Sequence, residues 1–279
     1  MNINWYPGHM KKSTDSIRES LKIVDIVAEI VDARIPFSSR NPALDEIIGD
    51  FPRLIIFNKY DLASEEENRK WMEYFRSKKL PVIGFNSLTD RKTSKLYNLS
   101  KELLKDKFER DRSKNISNPT IKMMVVGIPN VGKSTFINNV SKRKGTRVGN
   151  RPGVTRINQW IKTDSNLLLL DTPGVLWPKF ETPDKALNLA FTGAIKDEIM
   201  DVENLAYKLI EKLISIDENI IKDRYKVDIA EDTLTVMDDI ARKRGCILRG
   251  NEIDYNKVAN LILDDFRKSR MGRITLETV

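Results

Sequence analysis

"GIPNVGKST", residues 127–135, follows the apolar run "IKMMVVG" (121–127) and precedes a helix. It matches G-x-x-x-x-G-K-[ST] in the strand–loop–helix setting that this phosphate-cradling motif needs. Gly127 and Gly132 allow a tight turn that aims backbone N–H groups at phosphate oxygens. Lys133 is placed to reach the β- and γ-phosphates, and Ser134 to offer a hydroxyl to Mg²⁺. Asn130, Val131 and Thr135 complete the nucleotide-binding stretch, and the helix N-terminus adds its positive dipole end. A nucleoside triphosphate with Mg²⁺ is the expected ligand.

Downstream, "LLLLDTPG" (167–174) reads as a buried strand ending in Asp171, which can hold the metal, with Gly174 offering an N–H to the γ-phosphate. Between the two motifs lies "GNRPGVTR" (149–156), where Thr155 is a candidate switch residue closing over the metal and the γ-phosphate. Upstream, "NKYD" (58–61) ends the run "RLIIF". The carboxylate of Asp61 can accept from the guanine N1–H and exocyclic amine, which adenine cannot offer. Asn58 braces this loop, and the stem of Lys59 can lie over the base. Asn86 and Ser87, after a third apolar run, are placed to support the guanine O6 through backbone N–H groups. GTP is therefore the expected nucleotide.

The order is unusual. The base loop (58–61) precedes the support loop (86–87), the phosphate loop (127–134), Thr155 and Asp171. Guanine-nucleotide switches ordinarily place the phosphate loop first. The motif order is that of a circular permutation, which is physically cheap because domain termini often lie close together.

The surrounding sequence supplies a matching scaffold. Strands are expected at 24–31, 52–59, 80–87, 121–127 and 167–171. Helices are expected over 13–23 (capped by Ser13, with Ile17, Leu21 and Ile23 near one face), after Ser64, and over 90–112. "ISNPT" (116–120) reads as a linker. Alternating strands and helices imply an α/β fold, a mostly parallel sheet with helices on both faces. After about residue 178 the strand signal fades, and helices are expected over 184–195, 201–215, 218–225, 230–243 and 254–268. The expected organisation is a nucleotide-binding domain over 1–178 and a small all-helical domain over 179–279, joined at "WPKFETP" (177–183).

Composition narrows the class. The chain has 279 residues, 40% of them hydrophobic, with a net charge of +8. No run of about 18 apolar residues occurs, and the first residues are too polar for a secretory leader, so neither a membrane span nor export is expected. The single cysteine, Cys246, fits a reducing cytoplasm. The positive charge favours a polyanionic partner.

The combination "WYPGHM", "VDARIPFSSRNP" (31–42), "FNKYDL", "GIPNVGKS", "RPGVT" and "DTPGV", in that order over roughly 4–176, resembles the YlqF/RbgA family of circularly permuted GTPases. "LTDRKTSKL", after Ser87, departs from the family pattern in lacking a glycine-rich segment. The resemblance implies a cytoplasmic GTPase acting in late assembly of the large (50S) ribosomal subunit. Its partners would be the subunit precursor, its rRNA and ribosomal proteins; a monomer is expected, and no DNA or membrane partner. The other reading is an RNA-binding structural module that holds GTP and turns it over incidentally.

Val175 and Leu176 occupy the positions where many GTPases carry a water-orienting glutamine. Neither can hydrogen-bond a water, so slow hydrolysis alone and acceleration on a docked partner are expected. His9, the only histidine, is a candidate catalytic substitute beside Lys133, Thr155 and Gly174. Asn130 is a candidate for holding K⁺ against the phosphates; it is equally a turn former. Asp32 reads as structural, and Arg34 and Arg40 as functional or as partners of nearby carboxylates. Two basic clusters, Arg242–Lys243–Arg244 and Arg267, Lys268, Arg270 and Arg273, suit contacts to an RNA backbone.

Overall fold

The apolar, β-branched runs pair as strands because burying both faces of a sheet hides them from water. The computed structural model describes residues 7–90, 93–116, 119–141, 160–172, 174 and 182–279, the side chains of 7–13 excepted. Strand β1 (Ile26–Asp32) is buried along its whole length. It pairs in parallel with β2 (Arg53–Asn58) on one side and β4 (Ile121–Val126) on the other. β3 (Val82–Phe85) extends the sheet beyond β2, and β6 (Leu167–Asp171) beyond β4. β5 (Trp160–Lys162) closes the far edge antiparallel to β6, giving the order β3-β2-β1-β4-β6-β5.

Alternation along β1 sends Ile26, Ala28 and Ile30 to one face, and Val27 and Val31 to the other. The second face carries α1 (Pro7–Leu21), α2 (Pro42–Ile48) and α3 (Glu65–Ser77). On it sits Glu29, a fully buried carboxylate held by both arms of the Arg40 guanidinium (3.1 Å each) and by Arg53. Arg40 is thus structural: it also pairs with Asp45, and it stacks over the Phe75 ring.

The first face carries α4 (Ser94–Leu103), α5 (Lys105–Ser113), α6 (Lys133–Val140) and the C-terminal helices. Those are α7 (Pro183–Phe191), α8 (Val202–Ile216), α9 (Asn219–Tyr225), α10 (Thr233–Arg244) and α11 (Tyr255–Arg267). One apolar cluster runs from Ile30, Ile35 and Val131 at the sheet to Leu189, Phe191 and Phe266 in the helices. Local chemistry starts most of these helices. Asn41, Ser64, Thr182, Asp201, Asp232 and Asp254 each accept a first-turn N–H with the side chain.

Several expectations need correction. The helix expected from Ser13 begins six residues earlier, at Pro7, whose fixed φ suits a first helical position. Ile23 lies beyond its end and is half exposed, not on its buried face. The long helix expected over 90–112 is two helices, broken at Leu104 (φ −110°, ψ 32°). The break turns Leu104 into the core and sets Phe108 edge-on to Tyr97 at 6.2 Å. The strand expected over 80–87 is shorter, because Asn86 begins a side-chain-closed turn. α7 stops at Phe191 instead of 195, where a turn carries the Ala194 N–H back to the Leu189 carbonyl (2.9 Å).

Candidate nucleotide-binding site

The carboxyl ends of β1, β2, β3, β4 and β6 all open on one side of the sheet, where ligands of open α/β sheets sit. Each delivers a motif. β4 runs into the phosphate loop, and α6 begins at Lys133 directly behind it. Asn130 turns the loop with φ 57°, and Gly132 follows with φ 99°. A Cβ at Gly132 would lie 2.2 Å from Asn58 Nδ2, so the base loop and the phosphate loop touch only because residue 132 has no side chain.

Asn58 is the joint of the site. Its Nδ2 donates to the Val131 carbonyl (2.8 Å), and its Oδ1 accepts from the Ser87 N–H (3.2 Å) and Ser87 Oγ (2.5 Å). One buried amide therefore ties together the ends of β2, β3 and β4. Lys59, at φ 56°, swings its ammonium to Asp32 (2.8 Å) and to the Asn130 carbonyl (3.2 Å). Burial pushes the Asp32 carboxyl up, but Arg34 and Lys59 together hold it well below the usual carboxylate range. Burial in turn pulls the Lys59 ammonium down. Arg34 is structural too. It grips Asp32 with Nε and Nη2 (3.0 and 2.8 Å), and its Nη1 reaches the carbonyl of Arg267 in α11.

Lys133 is buried and caps two carbonyls of its own loop, Gly127 (3.1 Å) and Ile128 (3.0 Å). Burial lowers its ammonium to about 8, against the pull of Asp171. Burial raises the Asp171 carboxyl in the same way, opposed by Lys133 and the Thr172 N–H. Gly174 packs against the loop: a Cβ there would stand 2.9 Å from Lys133 Nζ and 3.0 Å from Pro129 N. Ser134 is exposed and Thr135 half-buried in the first turn of α6. The structure thus gathers Asn58, Lys59, Ser87, Asn130, Val131, Gly132, Lys133, Asp171 and Gly174. Asp61 stands exposed on the loop after β2, with no bond to any described residue. Thr155, Val175 and Leu176 lie outside the described residues, as does the side chain of His9, whose backbone is in the first turn of α1.

Two site expectations change. The N–H groups at 86–87 are already bonded: Asn86 N–H to Asp90 (2.8 Å), Ser87 N–H to Asn58. Without a glycine-rich segment, the turn closes on its own side chains. The basic clusters are also largely engaged within the chain. Arg267 holds Asp197 and the carbonyls of Ala190 and Phe191, Arg244 the Arg224 carbonyl, and Arg273 the Ala63 carbonyl. Arg242, Lys268 and Arg270 pair with aspartates one helical turn away or nearby, leaving Lys243 without a partner among the described residues. What sequence reading missed is the Asn130 amide, whose Nδ2 donates to the Gly193 carbonyl (2.7 Å) across 63 positions.

The chain is 43% identical to Ribosome biogenesis GTPase A of Priestia megaterium, over 99% of this chain and 97% of that protein. It belongs to the ribosome biogenesis GTPase A family. The namesake from Bacillus licheniformis is 42% identical over 99% of this chain and 98% of its own. A GDP-bound structure of TM YlqF superposes with TM-score 0.66 at 26% identity, covering 94% of this chain and 98% of that one. The family model "50S ribosome-binding GTPase" matches residues 122–238. That span starts at the phosphate-loop strand and leaves the base motif at 58–61 outside it, as a rotated motif order dictates. As a ribosome biogenesis GTPase A family member, the protein is a GTP-binding hydrolase acting on GTP, on a mostly parallel sheet with a helical C-terminal region.

Proposed function

We propose that the chain is a cytoplasmic, monomeric factor that acts in late assembly of the large (50S) ribosomal subunit, hydrolysing GTP slowly alone and faster when docked on the subunit. The observation that carries the GTP part of this reading is the Asn58 joint, which brings an N-K-x-D loop and a phosphate loop into one cradle despite their reversed order. The ribosomal part is supported by the name "Ribosome biogenesis GTPase A" borne by relatives over 99% of this chain.

In this reading, Asp61 accepts from the guanine N1–H and amine, and the Lys59 stem lies over the base. Binding of phosphate would draw Lys133 from its two loop carbonyls and restore a fully charged ammonium. Val131, Gly132 and Thr135 supply backbone to the phosphates, and Gly174 meets the γ-phosphate. The hard oxygen donors Ser134 and Asp171, with Thr155, fit Mg²⁺, which typically takes one or two protein groups and completes its shell with phosphates and water. When bound, the ion offsets charge on the β- and γ-phosphates.

No side chain at 175 or 176 can orient water. We assign that role to His9 in the docked state. GTP turnover should rise at least about tenfold with purified large subunits, a modest fraction of what a completed site adds. In His9→Ala the rise should be lost while GTP affinity holds. Turnover indifferent to subunits would overturn the docking reading; full stimulation of His9→Ala would overturn only the assignment to His9.

Nδ2 of Asn130 is held by the Gly193 carbonyl, and among the described residues its Oδ1 has no partner, which suits a K⁺ ion beside the phosphates. Hydrolysis should be several-fold faster in K⁺ than in Na⁺ at equal ionic strength, as for a charge that offsets the transition state; equal rates would remove the ion. Rim residues such as Arg242, Lys243 and Lys268 are proposed to meet rRNA, since exposed ion pairs contribute little and exchange readily for phosphate; Arg270, which also holds the buried Asp265 carboxylate, is proposed to join them through its exposed side. The helical part, taken as residues 179–279, is proposed as that RNA-facing unit.

A further inference from the structure

The last residues of the chain run along the loop that follows β2. Arg273 Nε donates to the Ala63 carbonyl (2.8 Å), and its Nη2 reaches the Tyr60 carbonyl (3.4 Å). The Ile274 N–H donates to the Leu62 carbonyl (3.1 Å), and the Ser64 N–H donates to Thr275 Oγ1 (3.1 Å). Every backbone carbonyl flanking Asp61, at 60, 62 and 63, thus receives a donor from 273–274.

The segment is itself fastened. Ile274, Thr275 and Leu276 are buried. The Leu276 N–H donates to the Arg34 carbonyl (2.8 Å). The Glu277 carboxylate accepts from the N–H groups of Phe37 (2.7 Å) and Ser38 (3.0 Å), from Ser38 Oγ, and from Asn188 Nδ2 (3.1 Å). The Trp71 indole N–H closes on the Glu277 carbonyl (3.1 Å).

A loop that leaves its strand through a non-glycine residue at positive φ, as at Lys59, is not held in shape by local preference. Its one internal backbone bond is Leu62 N–H to the Lys59 carbonyl (2.9 Å), and Asn68 shares the Tyr60 carbonyl. Lys59 Nζ is held by Asp32 and the Asn130 carbonyl and the Tyr60 N–H by the Phe85 carbonyl (3.5 Å), while the donors to the carbonyls at 62 and 63 come from the far end of the chain. We propose that residues 273–277 form a strap that positions the base-reading loop, with Arg273 and Thr275 as positioning residues that set the affinity and selectivity for guanine. The inference rests on Asp61 reading the base. A carboxylate pre-aimed by the strap loses less freedom when it pairs with the base, so its two acceptors discriminate more sharply.

The test uses the full chain, with GTP and with inosine triphosphate, which lacks the exocyclic amine. The wild type should prefer GTP. Arg273→Ala should weaken GTP about tenfold, equivalent to ~1.4 kcal/mol, and inosine triphosphate much less, so the preference shrinks. Arg273→Lys, which keeps one donor, should fall between. Thr275→Val keeps the buried volume and removes only the acceptor for Ser64; it should weaken GTP about threefold with the same loss of preference. Should Arg273→Ala fail to fold, Thr275→Val decides. Unchanged GTP affinity, or equal weakening of both nucleotides, overturns the strap as a positioning element. A wild type without preference for GTP overturns the Asp61 reading itself.

Discussion

Lys133→Met is expected to abolish tight GTP binding and to change how the stability of the nucleotide-free protein depends on pH. The two effects have one cause. The ammonium is buried against two backbone carbonyls, and burial has lowered it to about 8 from an ordinary 10.5. At pH 7 a depression of that size costs about 3 kcal/mol. The two carbonyl bonds return about 1 kcal/mol each. Methionine fills similar volume and removes the buried charge, but it leaves two buried carbonyls without their donor at about 1–3 kcal/mol each, so at pH 7 the two changes largely offset. The sign of the pH dependence follows. Between about 8 and 10.5 the unfolded wild type binds more protons than the folded one, so its stability rises with pH. Relative to wild type, Lys133→Met should therefore lose stability on going from pH 7 to pH 10. Denaturant unfolding at the two pH values checks this; a stability difference that does not move against Lys133→Met between pH 7 and pH 10 refutes it. With nucleotide present the balance is lost. Lost charge-assisted bonds to two phosphates, at about 1.5–3 kcal/mol each, should weaken GTP a hundredfold or more.

Asp61→Asn is expected to weaken GTP by about 100- to 1,000-fold and to raise affinity for xanthosine triphosphate. Two charged hydrogen bonds, at about 1.5–3 kcal/mol each, are at stake. Asparagine keeps one acceptor and turns an NH₂ donor towards the guanine amine, a donor-to-donor clash. Xanthine carries a carbonyl at that position and accepts the donor instead. Because Asp61 is exposed and unbonded to any described residue, stability should stay within about 0.5 kcal/mol. Titration with both nucleotides reads the switch; an unchanged GTP constant would remove Asp61 from base recognition.

The parts of this molecule legible in its sequence are those whose chemistry is local. The phosphate loop needs its glycines, lysine and serine within eight positions, and the strand and helix around it carry their own periodicity. Five of the six strands and the five C-terminal helices were legible for the same reason, to within a few residues, but the three-residue edge strand β5 was not. What escaped was chemistry between distant positions. Asn58 was readable as a brace, but not that it reaches Val131, 73 positions on. Arg273 looked like one cation of an RNA-binding cluster, since nothing near it in sequence announces a carbonyl 210 positions away. Arg267 was misread similarly, its partner Asp197 being 70 positions off. The break at Leu104 has no glycine or proline to mark it; the core decided it.

The central place of β1 has a consequence for how the chain comes into being. Its partner β2 is made soon after it, but its other partner, β4, begins only at Ile121, 89 positions after Asp32. At a synthesis rate of roughly 5–20 residues per second, that leaves about 4–18 s in which one edge of β1, a row of backbone N–H and C=O groups, has nothing to join. A chain rotated this way makes its base-reading half first and its phosphate-gripping half later. Neither half completes a site until both have left the ribosome.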